Sequence, residues 1–284
     1  MLSFITWTAD PVAFTIPFIE REVRWYGVAF AVGFTLGTWM VRKVWENEKL
    51  NDVWFDRLFF YVIISATIGA RLGHCLFYNP GFYLAHPVDI LKIWEGGLAS
   101  HGGTLGIIVA IWIYSRKVTH KSMLWTFDRL VLPVGFVAAL IRLGNLMNHE
   151  VYGHPTDLPW AFRFISNFPY VHRGADPVFT LPSHPTQLYE AAFYILTSCI
   201  CLWMYWKRKD YKYEGFIFGV FLIGIFLSRF FIEFFKNVQE EFEEGMFLDM
   251  GQLLSIPFII AGFWYMYKGI KAKSEEKQDL KKAK

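Results

Sequence analysis

The chain has 284 residues, of which 54% are hydrophobic, 19% aromatic and 19% charged. Soluble domains carry about 25% charged residues, so this composition excludes an ordinary soluble domain and indicates a polytopic membrane protein. The net charge of +3 is small, and its Lys and Arg residues are distributed as topology signals rather than as a nucleic-acid-binding surface.

Seven apolar segments follow one another along the chain. Most are close to the ~20 residues that a helix needs to cross ~30 Å of hydrocarbon, and the third is shorter. The first 20 residues lack a basic start and contain Pro11 and Pro17, so no cleaved signal peptide is expected. We predict an all-α membrane protein with seven transmembrane helices, at residues 24–41, 53–78, 102–115, 124–141, 187–206, 214–232 and 251–267.

Lys and Arg residues are concentrated on alternate connections and in the C-terminal tail, and positive charge favours the cytoplasm. With seven crossings, this distribution places the N-terminus outside and the C-terminus in the cytoplasm. Cys75, Cys199 and Cys201 all lie in apolar segments, so neither a disulfide framework nor a zinc site is indicated. We expect a single integral membrane domain, 1–284, ending in a cytoplasmic Lys-rich tail, 268–284.

The connection at residues 143–186 lies between helices four and five, on the predicted outer side. It carries six prolines interleaved with aromatic residues and is too long for a simple turn. Long ordered loops tend to carry function. We predict a small extracytoplasmic head of turns and short strands, and the alternative is a mobile connector.

Three arginines interrupt the apolar segments, and ionisable residues at membrane depth are functional candidates by default. Arg142 is followed by Asn145, Asn148 and Glu150 at the exit of helix four. Its planar guanidinium can bind two phosphate oxygens at once. This grouping favours an anionic, phosphate-bearing ligand.

The other two arginines have different neighbours. Arg229 and Glu233 are four residues apart on helix six, so they share a face and are expected to form an ion pair. Arg71 lies between Gly69 and Gly73, small residues that permit close helix packing. Two interpretations of Arg71 stay open: a ligand-binding cation, or a structural charge paired with a carboxylate.

His101 stands at the start of an apolar segment, immediately before Gly102 and Gly103. Imidazole suits proton transfer from a thiol or hydroxyl near neutral pH, and the glycines let a backbone or ligand approach closely. Glu95 and Tyr26 are candidates to orient the ring, and the alternative is a hydrogen-bonded packing histidine. The other histidines show no metal-ligand spacing, which disfavours metal catalysis; they are at positions 74, 86, 120, 149, 154, 172 and 184.

Five fragments stand in order along the chain: Glu95-Gly-Gly-Leu-Ala-Ser-His-Gly-Gly103, Arg142-Leu-Gly-Asn-Leu-Met-Asn-His-Glu150, His184-Pro-Thr-Gln-Leu-Tyr-Glu190, Arg229-Phe-Phe-Ile-Glu233 and Gly251-Gln252. Together they resemble the phosphatidylglycerol–prolipoprotein diacylglyceryl transferase family, over most of the chain from Tyr26 to Ser255. Each fragment alone is weak evidence. Five in register on a seven-span scaffold are highly specific.

The resemblance implies a multi-pass enzyme of the bacterial inner membrane. Such an enzyme transfers the diacylglyceryl group of phosphatidylglycerol to the lipobox cysteine thiol of a prolipoprotein, forming a thioether and releasing glycerol 1-phosphate, in the first step of lipoprotein maturation. The resemblance further implies a small head with short membrane-level arms, a prolipoprotein signal peptide and membrane lipids as partners, no nucleic acid and no cofactor. A lipid substrate also predicts a lateral gap between helices and a cavity near the outer leaflet.

The resemblance also assigns catalytic roles to individual residues. Arg142 would bind the phosphatidylglycerol head group, and Arg229, oriented by Glu233, would stabilise the leaving phosphate. Tyr26 and His101 would lie near the reacting thiol, and His101 is our preferred proton acceptor. No metal is implied.

The substrate-binding candidates are Arg142, Asn145, Glu150, Gly153, Arg71, Gly102, Gly103 and Gln252. Near Arg142 the chain departs from the family pattern, because Ile141 replaces a common glycine and Leu146 a common phenylalanine. A β-branched side chain restricts packing that glycine allows, but neither change removes a chemical group. The fragment ending at Glu190 is interpreted mainly as structural, with its carboxylate favouring the positive end of helix five. The alternative is that Gln187 and Tyr189 line the site.

Two other functional classes are alternatives to the transferase. A transporter or lipid flippase would use a similar set of cations, but the sequence lacks the repeat that many transporters show, and its polar groups cluster at one side. A structural scaffold whose charges pair inside the bundle would leave the His-Gly-Gly run and the head unexplained. We rank both below the transferase.

Overall fold

The computed structural model describes residues 4–18, 20–171, 174–237 and 245–282, with the side chains of residues 95, 100 and 169 excepted. His172 and Arg173 of the predicted head lie outside the described residues. The helices within these ranges are α1 (Trp25–Glu48), α2 (Asp52–Phe77), α3 (Pro80–Ala85), α4 (Ser100–Tyr114), α5 (Met123–Met147), α6 (Phe168–Val171), α7 (Thr186–Trp206), α8 (Phe216–Glu233) and α9 (Met250–Lys282). Shorter helical segments are Pro87–Leu91, Ile93–Glu95, Ser115–Thr119 and Asp210–Lys212.

Each of the seven predicted apolar segments coincides with a helix. Across the described residues, five helices are long and apolar enough to cross a membrane, namely α2, α5, α7, α8 and α9. Helix α4 has only 15 residues, below the ~17 that a crossing needs, and Gly, Thr and Trp residues dilute the apolar stretch of α1. The protein is therefore a mostly helical membrane protein, while the count of seven crossings stays a prediction.

Local sequence signals determine where helices begin. The Asn51 side chain accepts a hydrogen bond from the Val53 N–H at 2.9 Å and caps α2. At the start of α9, the Gln252 N–H donates to Asp249 Oδ1 at 2.8 Å, and the Asp249 N–H donates back to Gln252 Oε1 at 3.2 Å. This reciprocal pair is a capping box. Helix α7 begins directly after Pro185.

Helix α9 continues beyond the predicted end of its span, through the Lys-rich tail to Lys282. The connection between α7 and α8 holds this extension, because Lys273 pairs with the fully buried Asp210 and Tyr213 donates to Glu276. Most of the tail is therefore an ordered helix, and its cytoplasmic location stays a prediction.

Four short strands modify the expected all-α fold: β1 (Phe4–Thr6), β2 (Val12–Ile16), β3 (Arg21–Arg24) and β4 (Ala161–Arg163) in the described ranges. Strand β1 pairs in parallel with β4, and β2 pairs antiparallel with β3. Short strands were expected only in the connection at 143–186. Strand β1 was missed because its partner comes from a distant part of the chain, whereas the local hairpin of β2 and β3 was not recognised.

The connection between α5 and α7 contains β4, α6 and several backbone bridges, one of which joins Ile165 to Phe179. Leu146, Phe162 and Phe164 form a buried cluster beneath it. Turns and short strands are thus present and packed, as expected for the head, which favours an ordered head over a mobile connector. Its location outside the membrane stays a prediction.

The chain divides into two compact units, Met1–Met40 with Leu130–Lys284, and Val41–Arg129. The larger unit contains α7, α8 and α9, and α8 packs on α9 where Gly219 faces Gly262. The smaller unit contains α2 and α4, which also cross at glycines. Each unit carries part of the predicted site.

Candidate functional site

Arg142 and Glu190 form the first ion pair of the site in the larger unit. Arg142, near the end of α5, places Nε 2.8 Å from Oε2 of Glu190 in the second turn of α7. Arg142 Nη1 also donates to Asn145 Oδ1 at 3.2 Å. The Glu190 side chain is fully buried, whereas 19% of the Arg142 side chain is exposed. The guanidinium is therefore anchored by Glu190 and Asn145, while part of the Arg142 side chain stays exposed.

A chain of alternating charges continues from Glu190. Lys236 Nζ lies 3.1 Å from Glu190 Oε1 and 3.1 Å from Glu233 Oε2. Arg229 Nε lies 3.9 Å from the same Glu233 oxygen, beyond hydrogen-bond distance. The order is Arg142, Glu190, Lys236, Glu233, Arg229, so each buried carboxylate has a cation on both sides. Buried charges are tolerated only when they are paired in this way.

Two expectations about these residues change. The predicted pairing of Arg229 with Glu233 is present but long, and Lys236 is the closer cation. Glu190 does not act at the helix start, because the first turn of α7 contains no acidic residue. It is instead a buried ion-pair partner that also accepts a hydrogen bond from the Tyr194 hydroxyl at 3.1 Å.

The turn that follows α5 brings Asn145 and Glu150 together with Arg142, as their spacing indicated. Asn145 Nδ2 donates to Glu150 Oε1 at 2.8 Å, and Asn148 Nδ2 donates to the same oxygen at 3.0 Å. Gln187 Nε2 donates to the backbone oxygen of Glu150 at 2.7 Å. The Asn145 amide thus joins the guanidinium on one side to the carboxylate on the other.

Gly153 lies where the connection passes the end of α8, and its backbone forms a bridge with Lys236. A Cβ at this position would overlap the carbonyl oxygen of Phe235 and come within 2.8 Å of Thr186 Cγ2. Glycine is therefore required for a close backbone approach that positions Lys236. Direct substrate binding by Gly153 stays a prediction.

Tyr26, in the first turn of α1, packs against Gly144 of α5. A Cβ at Gly144 would lie 2.9 Å from Tyr26 Cδ2 and 3.0 Å from Tyr26 Cα. The glycine two residues after Arg142 therefore makes room for Tyr26 on the same stretch of α5. Tyr26 thus lies against α5 within one turn of Arg142 along the helix, and a direct contact between the two side chains stays a prediction.

Gln252 and Gly251 lie at the start of α9, beside the end of α8. In addition to its capping bonds, Gln252 is buried and donates from Nε2 to the Phe230 carbonyl oxygen at 3.2 Å. A Cβ at Gly251 would lie 2.7 Å from Glu233 Cδ. Gly251 therefore makes room for the Glu233 carboxylate, and Gln252 joins α9 to α8. Substrate binding by Gln252 stays a prediction.

Arg71 belongs to the smaller unit, and its guanidinium is already bonded to the chain. It is only 4% exposed and lies 5.1 Å from the centre of the Tyr83 ring. It donates four hydrogen bonds of 2.5–3.3 Å to backbone oxygens of Asp89, Ile90, Gly96 and Gly97. The geometry favours the structural interpretation, with carbonyls in place of the expected carboxylate.

His101 is the second residue of α4 and is exposed. Beside it, Gly102 packs directly on α2, because a Cβ there would overlap the Gly69 carbonyl oxygen and lie 2.7 Å from Gly73 Cα. The close approach expected at Gly102 is thus made by a neighbouring helix. Gly103 has ordinary space around it. The Glu95 side chain lies outside the described part of the chain.

An apolar groove of about 640 Å³ runs along α2 and α4 within the smaller unit. One wall is a row of α2 side chains spaced four residues apart, from Phe60 to Leu76, and the facing side chains on α4 include Leu105 and Val109. Gly102 also lines it. The groove suits a hydrocarbon chain, as expected for a lipid substrate, and its depth relative to the outer leaflet stays a prediction.

Lys236 also belongs to the site, and it was not predicted as a functional residue. A signal was available. Arg229, Glu233 and Lys236 follow an i, i+4, i+7 spacing in the sequence, although α8 ends at Glu233 and Lys236 lies just beyond it. Its second partner, Glu190, comes from another helix, which no local pattern predicts.

The fold and the site together define a class: a multi-pass helical membrane protein with a buried chain of charges that ends in two accessible arginines, suited to an anionic head group. The family follows from sequence comparison. The sequence model of the prolipoprotein diacylglyceryl transferase family matches residues 11–268. The chain belongs to this family, and the resemblance inferred from the five fragments is confirmed.

Similar proteins cover nearly the whole chain. A phosphatidylglycerol–prolipoprotein diacylglyceryl transferase of Porphyromonas gingivalis is 53% identical over 275 residues, 95% of this chain and 96% of its own length. Proteins of the same name from Chloroherpeton thalassium and Tolumonas auensis are 44% and 42% identical. They cover 97% and 94% of this chain and 98% of their own lengths.

Proposed function

We propose that this protein transfers the diacylglyceryl group of phosphatidylglycerol to the lipobox cysteine thiol of a prolipoprotein. Membership of the transferase family supports the reaction, and the chain of charges from Arg142 to Arg229 is the structural observation that carries it. A phosphate ester needs fixed cations both to bind the head group and to stabilise the phosphate that leaves. Two accessible arginines on buried carboxylates meet this need.

The reaction is a substitution at carbon 3 of the diacylated glycerol. The cysteine thiolate forms a C–S bond with this carbon while the C–O bond to phosphate breaks, and the bonding electrons leave on the phosphate oxygen of glycerol 1-phosphate. The thiol proton passes to a base. Thiolate, rather than thiol, is the reactive nucleophile.

We assign Arg142, with Asn145 and Glu150, to the phosphatidylglycerol head group, because it is a fixed cation whose side chain stays partly exposed. Arg229 is assigned to the leaving phosphate. His101 is the proposed base, with Tyr26 near the thiol, since imidazole accepts a proton near neutral pH. The exposed position of His101 at the start of α4 supports this assignment.

The protein is a multi-pass protein that we assign to the bacterial inner membrane. Seven crossings, an outer N-terminus, an outer head and a cytoplasmic C-terminus complete the proposed arrangement. The partners are phosphatidylglycerol, the signal peptide with its lipobox cysteine, and the surrounding lipids. No cofactor is needed, because the phosphodiester of the donor lipid already contains the leaving group.

The test is transfer from labelled phosphatidylglycerol to a lipobox peptide in detergent, with a chelator present. Wild-type protein should form the thioether. Arg142→Ala should lower the rate on the order of 100-fold, as expected for the loss of a charge-stabilising donor. Arg142→Lys keeps the charge without the planar guanidinium, so its transfer rate should lie between those of wild type and Arg142→Ala.

Arg42→Ala is the matched control, because Arg42 is an exposed arginine that pairs with Asp52 and Glu46 outside the proposed site. It should transfer at the wild-type rate. His101→Gln tests the base, and an unchanged rate would assign the proton to another group. If folded wild-type protein forms no thioether but moves lipid across vesicle membranes, the transporter or flippase interpretation would replace the transferase.

A further inference from the structure

We infer that Lys236 is a positioning residue that keeps the Arg229 guanidinium available for an anionic group, by competing with it for the Glu233 carboxylate. This inference deepens the proposed function and rests on it for the identity of the anion, a phosphate ester. The role of Lys236 itself rests only on the geometry of the larger unit.

The competition is visible at a single atom. Glu233 Oε2 is 3.1 Å from Lys236 Nζ and 3.9 Å from Arg229 Nε. An Arg–Glu pair four residues apart on a helix can close to hydrogen-bond distance, yet this pair does not. The Lys236 side chain is 2% exposed and that of Arg229 37%, and attraction is stronger where water is excluded. The buried lysine therefore holds the oxygen.

Arg229 keeps an unused donor as a result. Its Nε is buried and has no hydrogen-bond partner among the described residues. Leaving a buried donor unpaired costs roughly 1–3 kcal/mol, a cost that a shift of the guanidinium towards a bound anion would remove. The exposed part of the side chain makes the guanidinium reachable. Arg229 is thus prepared for a ligand rather than for Glu233.

The chain of charges requires Lys236 as well. Two of its three cations, Lys236 and Arg229, lie next to Glu233. Without Lys236, only Arg229 of these cations remains next to this carboxylate. Arg229 would then close onto Glu233 and lose its affinity for an outside anion.

The backbone around Lys236 is built to place its ammonium. The Gly153 backbone bridges Lys236, the His154 N–H donates to the Phe235 oxygen at 2.8 Å, and Asn237 Nδ2 donates to the Gly153 oxygen at 2.9 Å. Contacts before, at and after Lys236 therefore set its position from the connection between α5 and α7. This explains why Gly153 is needed although its own atoms carry no charge.

The test compares Lys236→Met, Lys236→Arg, Glu233→Gln and the double variant Lys236→Met/Glu233→Gln. Lys273→Met is the matched control, because Lys273 also pairs with a fully buried carboxylate, that of Asp210, but outside the site. Two quantities are measured for each protein: kcat and KM for phosphatidylglycerol, and the rate at which phenylglyoxal modifies Arg229, followed by peptide mass spectrometry. The second quantity does not depend on the reaction.

Lys236→Met should lower kcat on the order of 100-fold with little change in KM, because Arg229 acts on the leaving phosphate and Arg142 binds the head group. Modification of Arg229 should slow about two- to fivefold, as for a partly exposed guanidinium closed into an ion pair. Lys236→Arg should keep most of the wild-type kcat and most of the wild-type rate of Arg229 modification. The double variant should modify Arg229 as fast as wild type, because no carboxylate remains to attract it.

An unchanged rate of Arg229 modification in folded Lys236→Met would overturn the inference, as would equal losses in Lys273→Met. If Lys236→Met does not fold, Lys236→Gln takes its place, since it also removes the ammonium next to Glu233 and must slow Arg229 modification in the same way. Wild-type protein that forms no thioether would refute the proposed function. The modification rates would still decide the role of Lys236.

Discussion

Replacing Gly102 with alanine should weaken the crossing of α2 and α4. The added Cβ would overlap the Gly69 carbonyl oxygen and lie 2.7 Å from Gly73 Cα, whereas ordinary contact begins at 3.4 Å, so the helices must separate by at least about 0.7 Å there. The opposing atoms belong to the backbone of Gly69 and Gly73, and no side-chain rotation can relieve the overlap. Overpacking of this kind costs roughly 1–3 kcal/mol, offset in part by the better helix propensity of alanine.

Two assays follow from this shift. The thermal unfolding temperature in detergent should fall by roughly 2–8 °C, for a net loss of about 1–2 kcal/mol in the free energy of unfolding. The diacylglyceryl transfer rate should fall about tenfold or more, because His101 is adjacent in sequence and a misplacement of about 1 Å can cost about 100-fold. The Ala99 N–H to Ala70 oxygen bond, 2.9 Å long, lies at the same crossing and should lengthen.

Gly103→Ala is the matched control for stability, since its Cβ would lie 3.4 Å from the Ala66 oxygen and 3.5 Å from Ala70 Cβ. These are ordinary contacts, so unfolding should stay at or above the wild-type temperature. Gly102→Ala with the same unfolding temperature as wild type would contradict this prediction, as would equal losses of stability in Gly102→Ala and Gly103→Ala.

Two further predictions concern groups held by the backbone. Arg71→Met should make the segment 86–97 sensitive to limited proteolysis, because four carbonyl hydrogen bonds of 2.5–3.3 Å are lost; an unchanged cleavage pattern would contradict the anchoring role. Burial holds the pKa of His149 below its usual 6.5. The neutral ring accepts a hydrogen bond from the Ile165 N–H at 3.2 Å and donates one to the Ala9 oxygen at 2.8 Å. The unfolded chain therefore binds the proton more tightly, so the contribution of His149 to the free energy of unfolding is full above about pH 6.5 and is lost as pH falls towards the folded pKa. His149→Gln should flatten the dependence of the free energy of unfolding on pH in this range. An unchanged slope in the variant would refute the assignment.

Local patterns in the sequence were sufficient for much of the site. Arg142, Asn145 and Glu150 lie within a few residues of one another, so their spacing alone indicated that they meet, and hydrogen bonds of 3.2 Å and 2.8 Å join them. Arg229 and Glu233 were placed on one face by helical periodicity, which is equally local. The family resemblance rested on short fragments of this kind, and it was confirmed over residues 11–268.

Other features could not be predicted because their partners come from distant parts of the chain. Arg71 looked like a candidate for a carboxylate or a lipid, and its actual partners are carbonyls of an irregular segment whose path no pattern specifies. Strand β1 carries no pairing signal until β4 lies beside it. Apolar periodicity reports burial, but it does not say which backbone groups an arginine or a strand will meet.

The sequence by itself determined that the chain is a helical membrane protein, where its apolar helices lie and which transferase family it belongs to, because hydrophobic length, periodicity and short motifs are properties of neighbouring residues. Only the tertiary structure placed Lys236 between Glu190 and Glu233 and left Arg229 with a loose partner. Which of two cations holds a carboxylate depends on burial and on distances of a few tenths of an ångström, and packing of helices distant in sequence decides both.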